Sequence, residues 1–405
     1  MSDRRTPRVL VTDAARGSAV AVIRSLGRRG WHVVAADSEA GSPGFRSRYA
    51  AARVRYPDPR RHSDAMVARL RDVVARHRIN LVVPVTEDVA VPLARARERI
   101  EPVALLALPP TDAFDLARDK ARTLRLAEEL GIPIPRSRRI GPDERAEALD
   151  VVSSWPAVVK PVESRALLNG TLRALEVSYA RDRDELSACM ARIPDDVTIL
   201  VQELCRGEGV GVEVLADHGN VIEAFQHRRL HEVPLTGGAS SYRESVALDP
   251  ALLDATERLM RATAWTGLAM VEFKVGPDGP RLMEINPRIW GSLPLSLAAG
   301  VDFPARMAAL HLGLSQPVDG RTAYTVGVRA RNLTLELHWA AAVLLGRAVA
   351  PLSERPSRLS ALGAIGAALG QPRRSDMFAA DDMGPQLAEI ARLPTRFGAL
   401  ARKWR

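Results

Sequence analysis

Apolar runs alternate with amphipathic segments from Arg8 to Leu108. The runs RVLVTD, WHVVAAD, RVRY, NLVVPV and VALLAL are short, as buried strands are, whereas the segments Ser18 to Arg29 and Ser63 to His77 repeat their apolar positions with a helical period. Alternating strands and helices favour a parallel sheet that is covered by helices on both faces. We therefore predict an α/β, Rossmann-like domain over residues 1–110.

The pattern changes after Pro109 and Pro110. A helix is predicted from Thr111 to Leu130, where the sequence GIPIP ends it. Short strands follow, and turn residues such as DHGN join neighbouring strands; the strand sequences are PAVVKP, ALEVS, TILVQEL, GVGVEVLAD and NVIEAFQHRRL. This arrangement predicts an antiparallel α+β domain over residues 111–318. Residues 333–371 and 385–404 are predicted to be helical, which makes 319–405 a helical C-terminal region.

Composition narrows the class of protein. Of the 405 residues, 46% are apolar and 26% are charged, which is ordinary for a globular chain and excludes general disorder. The net charge is +9, but basic residues are spread along the chain and aromatic residues make up only 4%, so no nucleic-acid partner is predicted. Cys189 and Cys205 form no Cys-x-x-Cys unit, which excludes a disulfide framework and a thiolate zinc site.

Export and membrane segments are not recognisable. The start MSDRRTPRVLVTD leads from basic residues directly into a strand-like run without the apolar core of a signal peptide. The apolar stretch Trp339 to Gly346 is far shorter than the roughly 20 residues that span a bilayer. We expect a cytoplasmic protein with no membrane partner.

The stretch LAMVEFKVGPDGPRLMEINPR carries the most informative pattern. Two alternating strands flank the turn GPDGP, which predicts a hairpin. With the turn centred on Asp278, Glu272 lies directly opposite Glu284, and Asn286 and Arg288 continue on the same face. The opposite, apolar face is predicted to contain Val271, Phe273, Met283 and Ile285.

Facing carboxylates repel each other across a ladder, and a divalent cation reverses the sign of that interaction. The oxygens of Glu272, Glu284 and Asn286 suit Mg²⁺, which prefers oxygen ligands and completes its shell with water and phosphate. The alternative is an ordinary solvated strand face, on which Glu and Arg are common.

Lysine is scarce in this chain, which draws attention to each position where it occurs. Only four of the 57 basic residues are lysines: Lys120, Lys160, Lys274 and Lys403. Lys160 ends the strand WPAVVKP, and Lys120 lies on the preceding helix, where each ammonium group could act as a point charge for a phosphate. No Gly-Lys pair occurs, so neither lysine belongs to a Walker loop. Alternatively, each side chain simply extends to solvent.

The first βα turn offers a nicotinamide-binding alternative. Thr12 to Ser18 is placed like a dinucleotide-binding loop, and Asp37 ends the second strand where an acidic ribose ligand could lie. However, TDAARGS has one glycine where that fingerprint has three. A short-chain dehydrogenase also needs a tyrosine followed by a lysine four residues later, and no tyrosine here has one.

Several motifs occur in an order that resembles the ATP-grasp superfamily, of the carboxylate-amine ligase type and most like the large subunit of carbamoyl-phosphate synthase. These are DK in a helix, VVKP on a strand, QE before a hinge containing Gly207, then VEFK and MEINPR, within residues 8–315. The resemblance implies a pre-ATP-grasp domain that is Rossmann-like, followed by an α+β ATP-grasp domain of two subdomains, with the lid subdomain at about 155–205. It also implies a ligase that activates a carboxylate as an acyl phosphate and couples it to an amine.

The resemblance assigns roles to individual residues. It implies ATP and Mg²⁺, for which Mn²⁺ could substitute, with Glu272, Glu284 and Asn286 as metal ligands and Arg288 at the transferred phosphoryl group. The residues implied to hold ATP are Lys120, Lys160, Gln202, Glu203, Leu204 and Cys205. The implied partners are small carboxylate and amine substrates that resemble amino acids, and a homodimer is one assembly such a chain could form.

Two departures from the family pattern affect these expectations. The lid sequence VESRALLNGT is bulkier than the glycine-rich lid of the family, and Gly209 stands where a ribose-binding carboxylate is usual, so Glu208 is the substitute candidate. Because of this unusual lid sequence, the alternative remains that the protein is a regulator that binds a nucleotide without turnover. The segment HRRLHEVPLTGGASSYRES resembles a substrate-side loop with Arg228, Arg229 and Arg243 around the turn Gly237–Gly238, and an arginine fork can hold a substrate carboxylate. Arg228 is the catalytic candidate among them. The alternative is that these arginines are solvated strand residues. His227 and His231 lack the glutamate placement of a zinc helix, so no zinc is predicted.

Overall fold

The N-terminal part of the chain forms a five-stranded sheet in the order β3-β2-β1-β4-β5. The computed structural model describes residues 6–145, 155–168, 170–314, 323–347 and 356–403. All four strand pairings of this sheet are parallel, in agreement with the predicted Rossmann-like region. Its elements are β1 Arg8–Val11, α1 Gly17–Arg28, β2 His32–Asp37, β3 Ala52–Arg55, α2 Ser63–His77, β4 Leu81–Val83, α3 Glu87–Arg95, α4 Arg97–Ile100 and β5 Leu105–Leu106.

Apolar residues on both faces of β1 explain why this sheet is buried. Val9 and Val11 pack into one cluster with α1, and Leu10, between them, packs into another with α2 and α3. All three side chains are fully buried. Successive strand residues point to opposite faces, so a continuous apolar run is what a doubly covered sheet requires.

A four-stranded antiparallel sheet follows, in the order β10-β7-β11-β6, together with a separate two-stranded hairpin of β8 and β9. The elements of this part are α5 Thr111–Arg118, α6 Lys120–Glu129, β6 Ser137–Ile140, β7 Ala157–Pro161, β8 Arg165–Leu168, β9 Thr171–Ala174, β10 Ser178–Ala180, α7 Arg183–Met190 and β11 Ile199–Glu203. Helix α7 packs on one face of the sheet and buries Leu186 and Met190 against Val159 and Val201. The opposite face of the sheet is therefore left to line a cavity.

A six-stranded sheet in the order β16-β15-β12-β13-β14-β17 is the largest of the molecule. The elements of this part are β12 Glu208–Asp217, β13 Asn220–Val233, β14 Ala239–Val246, α8 Pro250–Ala262, β15 Gly267–Gly276, β16 Gly279–Asn286, α9 Leu293–Ala299, α10 Phe303–His311 and β17 Arg329–Arg331. Val212 and Val214 pack with α5 and α8 on one face. Leu215 and Phe225 on the other face share a cluster with β1 and α1, so this sheet packs directly against the N-terminal part.

Three helices close the described chain: α11 Leu333–Leu344, α12 Arg358–Gly370 and α13 Gly384–Lys403. The prediction of a wholly helical C-terminal region was wrong. The region also contains β17, which pairs with β14 and extends the six-stranded sheet. Buried ion pairs connect the region to the rest of the molecule: Arg24 Nε lies 2.9 Å from Asp382 Oδ2, and Arg243 pairs with Asp376. The domain limits at 110 and 318 and the lid limits stay predictions.

The helix predicted from Thr111 to Leu130 is two helices. Asp119 between them has extended backbone angles (φ −89°, ψ 103°), and its carboxylate accepts hydrogen bonds from the N–H groups of Ala121 and Arg122 at 2.9 and 3.0 Å. An aspartate that caps a helix in this way ends the preceding one. The interruption makes Lys120 the first residue of α6.

Among the described residues, no helix has the length and apolar character needed to cross a bilayer. The cytoplasmic location stays a prediction.

Candidate functional site

A cavity of about 610 Å³ lies where the three sheets meet. The N-terminal part contributes the turns before α1 and α3, the four-stranded sheet contributes the uncovered face of β7 and the end of β11, and the six-stranded sheet contributes β13, β15 and β16. The structure brings ten of the predicted site residues into its wall: Lys120, Lys160, Gln202, Glu203, Leu204, Cys205, Glu272, Glu284, Asn286 and Arg288.

The β15–β16 hairpin carries the candidate metal ligands. Glu272 pairs with Glu284 across the ladder, as alternation predicts. The Asn286 Nδ2 atom lies 2.9 Å from Glu272 Oε1 and 3.4 Å from Glu284 Oε1, so one amide group joins both carboxylates. Rotation of the Asn286 side-chain amide by about 180° would place its oxygen, in place of the nitrogen, beside the two carboxylates. Three oxygen donors can thus converge on one point of the cavity wall.

The hairpin differs from the prediction at its turn. Gly276 pairs with Gly279, so the turn is two residues long and is not centred on Asp278. A register shift next to Phe273 places Leu282 opposite it and leaves Met283 as an extra residue, a β-bulge. Met283 was therefore wrongly placed on the apolar face: it is half-buried in the cavity wall, while Leu282 is fully buried.

Cations surround the carboxylate pair. Burial works against ionisation of Glu284, but the charges of Lys120, Lys160, Arg288 and Arg229 lower its pKa to about 2. Lys120 Nζ lies 3.4 Å from Glu284 Oε2. Glu272 Oε2 lies 2.5 Å from Arg229 Nη2. Carboxylates that stay ionised at neutral pH can bind a cation without first losing a proton.

Lys160 lies at the end of β7, with its side chain on the uncovered face of the sheet. Its Nζ donates a hydrogen bond to Gln202 Oε1 at 2.9 Å. Burial, with the neighbouring charge of Lys120, lowers the pKa of Lys160 to about 8. An anion beside such an ammonium group stabilises its charged form, and a phosphate group is such an anion.

The end of β11 supplies the segment predicted to meet the adenine. Gln202 Nε2 donates to Ser137 Oγ at 2.8 Å, and Glu203 accepts from the Arg136 Nε atom at 2.9 Å. Leu204 and Cys205 follow the strand and line the cavity. The backbone groups of these two residues lie outside the ladder, so they are available to a ligand.

Two predicted site residues, Arg228 and Glu208, lie outside the cavity wall. Arg228 is on the opposite face of β13, where its Nη2 lies 2.7 Å from Glu244 Oε2 and its Nη1 lies 3.5 Å from Glu208 Oε1. Arg229, the next residue, faces the cavity instead, 90% buried, and binds Glu272 and Glu232. The alternation of side chains along a strand makes the two positions mutually exclusive.

The two-stranded hairpin of the predicted lid is bound to the N-terminal part. Arg165 Nε on β8 lies 2.6 Å from Asp88 Oδ1 on α3. The Leu172 N–H on β9 donates to the Arg60 carbonyl at 2.8 Å. In place of a glycine-rich loop, this chain has an ion pair that brings the hairpin across the cavity.

The nicotinamide alternative loses its principal residue. Asp37 Oδ2 accepts a hydrogen bond from the Ala15 N–H at 2.6 Å, and Oδ1 accepts one from the Glu39 N–H at 2.8 Å. The Asp37 side chain is 4% exposed. Its carboxylate therefore holds the first βα turn in place, which explains an acidic residue there without a ribose.

Solved structures share this architecture. The biotin carboxylase of Campylobacter jejuni, in a complex titled with beta-gamma-ATP, superposes with a TM-score of 0.61 at 15% identity over 80% of this chain and 74% of that chain. The L-amino acid ligase of Bacillus licheniformis gives a TM-score of 0.58 at 18% identity over 76% of this chain and 75% of that chain. These likenesses establish an ATP-grasp fold.

Sequence comparisons agree with the fold. A family model described as "ATP-grasp in the biosynthetic pathway with Ter operon" matches residues 195–334. The carbamoyl phosphate synthase large chain of Archaeoglobus fulgidus is 26% identical over 240 residues, which are 55% of this chain and 21% of that protein. The same protein of Rubrobacter xylanophilus is 29% identical over 231 residues, 54% of this chain and 21% of that one. This chain thus spans about a fifth of the length of these relatives. The sequence comparisons and the shared fold thus agree in making this chain similar to ATP-grasp proteins.

Proposed function

We propose that this protein is an ATP-dependent ligase that activates a substrate carboxylate as an acyl phosphate and couples it to an amine, releasing ADP and phosphate. The observation that carries the proposal is the convergence of Glu272, Glu284 and Asn286 with Lys120, Lys160 and Arg288 in one cavity. Phosphoryl transfer needs mainly positioning and neutralisation of oxygen charge, and these groups supply both.

The donor set fits Mg²⁺ or Mn²⁺. Among the described residues no cluster of three or more His, Cys, Asp and Glu side chains could hold a metal. The proposed site has only two carboxylates, Glu272 and Glu284, and takes its third oxygen from the Asn286 amide, which contacts both. Such a site leaves coordination positions for water and phosphate, as Mg²⁺ prefers. When bound there, the ion would neutralise charge on the β- and γ-phosphates.

Side chains of this protein would bind and orient the nucleotide. Lys160 and Lys120 are placed to pair with phosphate oxygens, and the Leu204–Cys205 backbone to meet the adenine. Arg288 has no carboxylate within ion-pair distance among the described residues, and its Nη1 donates only to the Ile289 carbonyl at 3.1 Å. A guanidinium that is free in this way can stabilise the phosphoryl group in transfer.

The comparisons support amino-acid-like substrates as part of the proposal. One structural relative is titled an L-amino acid ligase, and another is titled a biotin carboxylase domain dimer with MgADP and bicarbonate. An amino acid offers both the carboxylate and the amine that the reaction joins. The homodimer stays a prediction that a sedimentation experiment can test.

Turnover with amino acids tests the proposal. Purified protein with MgATP and pooled amino acids should release ADP only when both an acid and an amine are present. ADP release that ignores both, or none with any pool, would contradict the ligase. Nucleotide binding without turnover would instead support the alternative function, a regulator that binds a nucleotide.

A further inference from the structure

A second polar cluster lines the cavity on the same face of the six-stranded sheet as the carboxylate pair. It consists of His227 on β13, Glu213 on β12 and Ser292, which precedes α9. His227 Nδ1 lies 3.0 Å from Glu213 Oε1, and Ser292 Oγ donates a hydrogen bond to the same oxygen at 2.9 Å. No role in the proposed phosphoryl transfer uses these residues, although His227 and Ser292 are in the cavity wall.

The strand register brings His227 close to the reaction centre. Glu284, Glu272, Gly211 and His227 occupy one row across β16, β15, β12 and β13. Gly211 has no side chain, and the His227 ring occupies the space above it: a Cβ at this position would lie 2.5 Å from His227 Cε1. The imidazole ring therefore lies over β12, about one strand spacing of ~4.8 Å from the row position of Glu272.

Burial makes the contact between these side chains informative. The side chains of His227 and Glu213 are 1% and 0% exposed, and Glu213 Oε2 has no hydrogen-bond partner within the described part of the chain. A buried carboxylate with an unpaired oxygen is costly, so its presence calls for a functional explanation. His227 Nδ1 lies 3.0 Å from Glu213 Oε1 but forms no hydrogen bond within the described part of the chain, so Glu213 contacts the ring as a neighbouring charge. A carboxylate at this distance favours a proton on the ring, which is what a base acquires.

Two other carboxylates at the cavity are already paired with cations. Glu232 binds Arg229 and Lys274, both at 3.1 Å, and Asp88 binds Arg165. Among the described residues no hydrogen-bond partner of His227 Nε2 is present, and His227 lies in the cavity wall, so this nitrogen remains as an acceptor at the cavity.

We propose that His227 is the catalytic base of the amide-forming step and that Glu213 is its positioning residue; this rests on the proposed function. The amine nitrogen attacks the carbonyl carbon of the acyl phosphate and forms the C–N bond. The C–O bond to phosphate breaks, and the electron pair leaves with the phosphate. The proton lost by the amine passes to His227 Nε2 and then to solvent, which regenerates the base.

Hydroxylamine separates this step from carboxylate activation, because it is unprotonated at neutral pH and traps acyl phosphates without a base. The experiment compares His227→Asn with wild type in two assays, both with MgATP and pooled amino acids as acids. One assay measures hydroxamate with added hydroxylamine, and the other measures amide with the amino acids as amines. We expect hydroxamate within about threefold of wild type and amide lowered at least about 100-fold, the usual range for a lost general base.

Two further variants complete the design. His218→Asn is the matched control, since this exposed histidine lies in the β12–β13 turn at φ +47°, which asparagine tolerates, and both assays should stay unchanged. Glu213→Gln should lower amide formation less than His227→Asn and move the acidic limb of its pH profile to lower pH, because the carboxylate no longer favours the imidazolium.

The possible results lead to different conclusions. Equal amide formation by wild type and His227→Asn would overturn the base, and so would an equal loss in both assays. An unchanged pH profile in Glu213→Gln would overturn its positioning role even if His227→Asn failed to fold. Failure of the proposed function would be seen separately, as wild-type protein that forms no hydroxamate with any acid.

Discussion

Replacing Lys160 by methionine should affect stability and nucleotide binding in opposite directions. The ammonium group is buried, and its pKa is lowered from 10.5 to about 8 by burial and the charge of Lys120. At ~1.4 kcal/mol per pKa unit, this corresponds to about 3 kcal/mol of destabilisation when the lysine is charged. The hydrogen bond to Gln202 Oε1 offsets part of any gain, because its loss costs about 1 kcal/mol or more.

The sign of the pH dependence follows from the direction of the shift. Between pH 8 and 10.5 the unfolded chain binds more protons at this lysine than the folded protein does, so the wild-type free energy of unfolding rises with pH in that window. Lys160→Met should lack that rise, while being more stable than wild type at pH 7 by about 1–2 kcal/mol. Its affinity for MgATP should fall by at least about tenfold, since a charge-assisted contact is lost.

Urea denaturation at pH 7, 8, 9 and 10 and calorimetric titration with MgATP measure both effects. Lys274→Met is the matched control, because its Nζ lies 3.1 Å from Glu232 and its removal breaks an ion pair. We expect Lys274→Met to be no more stable than wild type. Parallel pH curves for wild type and Lys160→Met, or unchanged MgATP affinity in that variant, would refute the reasoning.

Three further predictions concern the site and the C-terminal region. Glu284→Gln and Arg288→Ala should each lower turnover at least about 100-fold with the fold intact by circular dichroism, as expected for lost stabilisation of transition-state charge; near-normal turnover in either would contradict the site assignment. Gly211→Ala should reduce amide formation more than hydroxamate formation, because the new methyl group would lie 2.5 Å from His227 Cε1, and unchanged kinetics would mean that the ring does not need that space. Burial, with the charge of Asp376, raises the pKa of Glu389 from 4.5 to about 7, so stability should fall as pH rises through that window and Glu389→Gln should remove the fall; thermal melts across it decide the matter.

Alternation along β15 and β16 was enough to predict the carboxylate pair. A strand has a side-chain period of two, so the placement of Glu272 opposite Glu284 needed only the turn position. The predicted turn was centred on Asp278, whereas the observed turn is centred between Pro277 and Asp278. The bulge at Met283 adds one residue to β16 and so restores the pairing of Glu272 with Glu284. The prediction of the pair was therefore correct, while the neighbouring Met283 was assigned to the wrong face.

A second bulge determines that Arg229, and not the catalytic candidate Arg228, faces the cavity. The β12–β13 hairpin closes with Asp217 opposite Asn220, and regular pairing from there would place Arg228 opposite Gly209, towards the cavity. The register shifts between Leu215 and Ala216, which leaves Ile222 as an extra residue and turns Arg229 inward. Bulges depend on tertiary packing, so the sequence pattern alone gave no signal for this one.

Contacts distant in sequence were equally beyond prediction. The break at Asp119 has a local signal, an aspartate that can cap a helix, which helical periodicity across it obscured. The ion pair between Arg165 and Asp88 has no local signal, because 77 residues separate its members. The order of motifs identified the class of site, and the structure was needed to show what holds its parts together.

The segment that contains Asp376 and Asp382 determines where the chain can be shortened. Asp376 neutralises Arg243 inside the six-stranded sheet, and Asp382 neutralises Arg24 within α1. A Cβ at Gly17, the first residue of α1, would lie 3.1 Å from Asp376 Cβ, so the segment also packs closely on that helix. Deletion before residue 376 would leave two buried guanidinium groups without counter-charges, which destabilises a fold strongly. A shortened chain that ends after β17 would therefore be destabilised, and the C-terminus of a shorter chain should lie beyond Asp382.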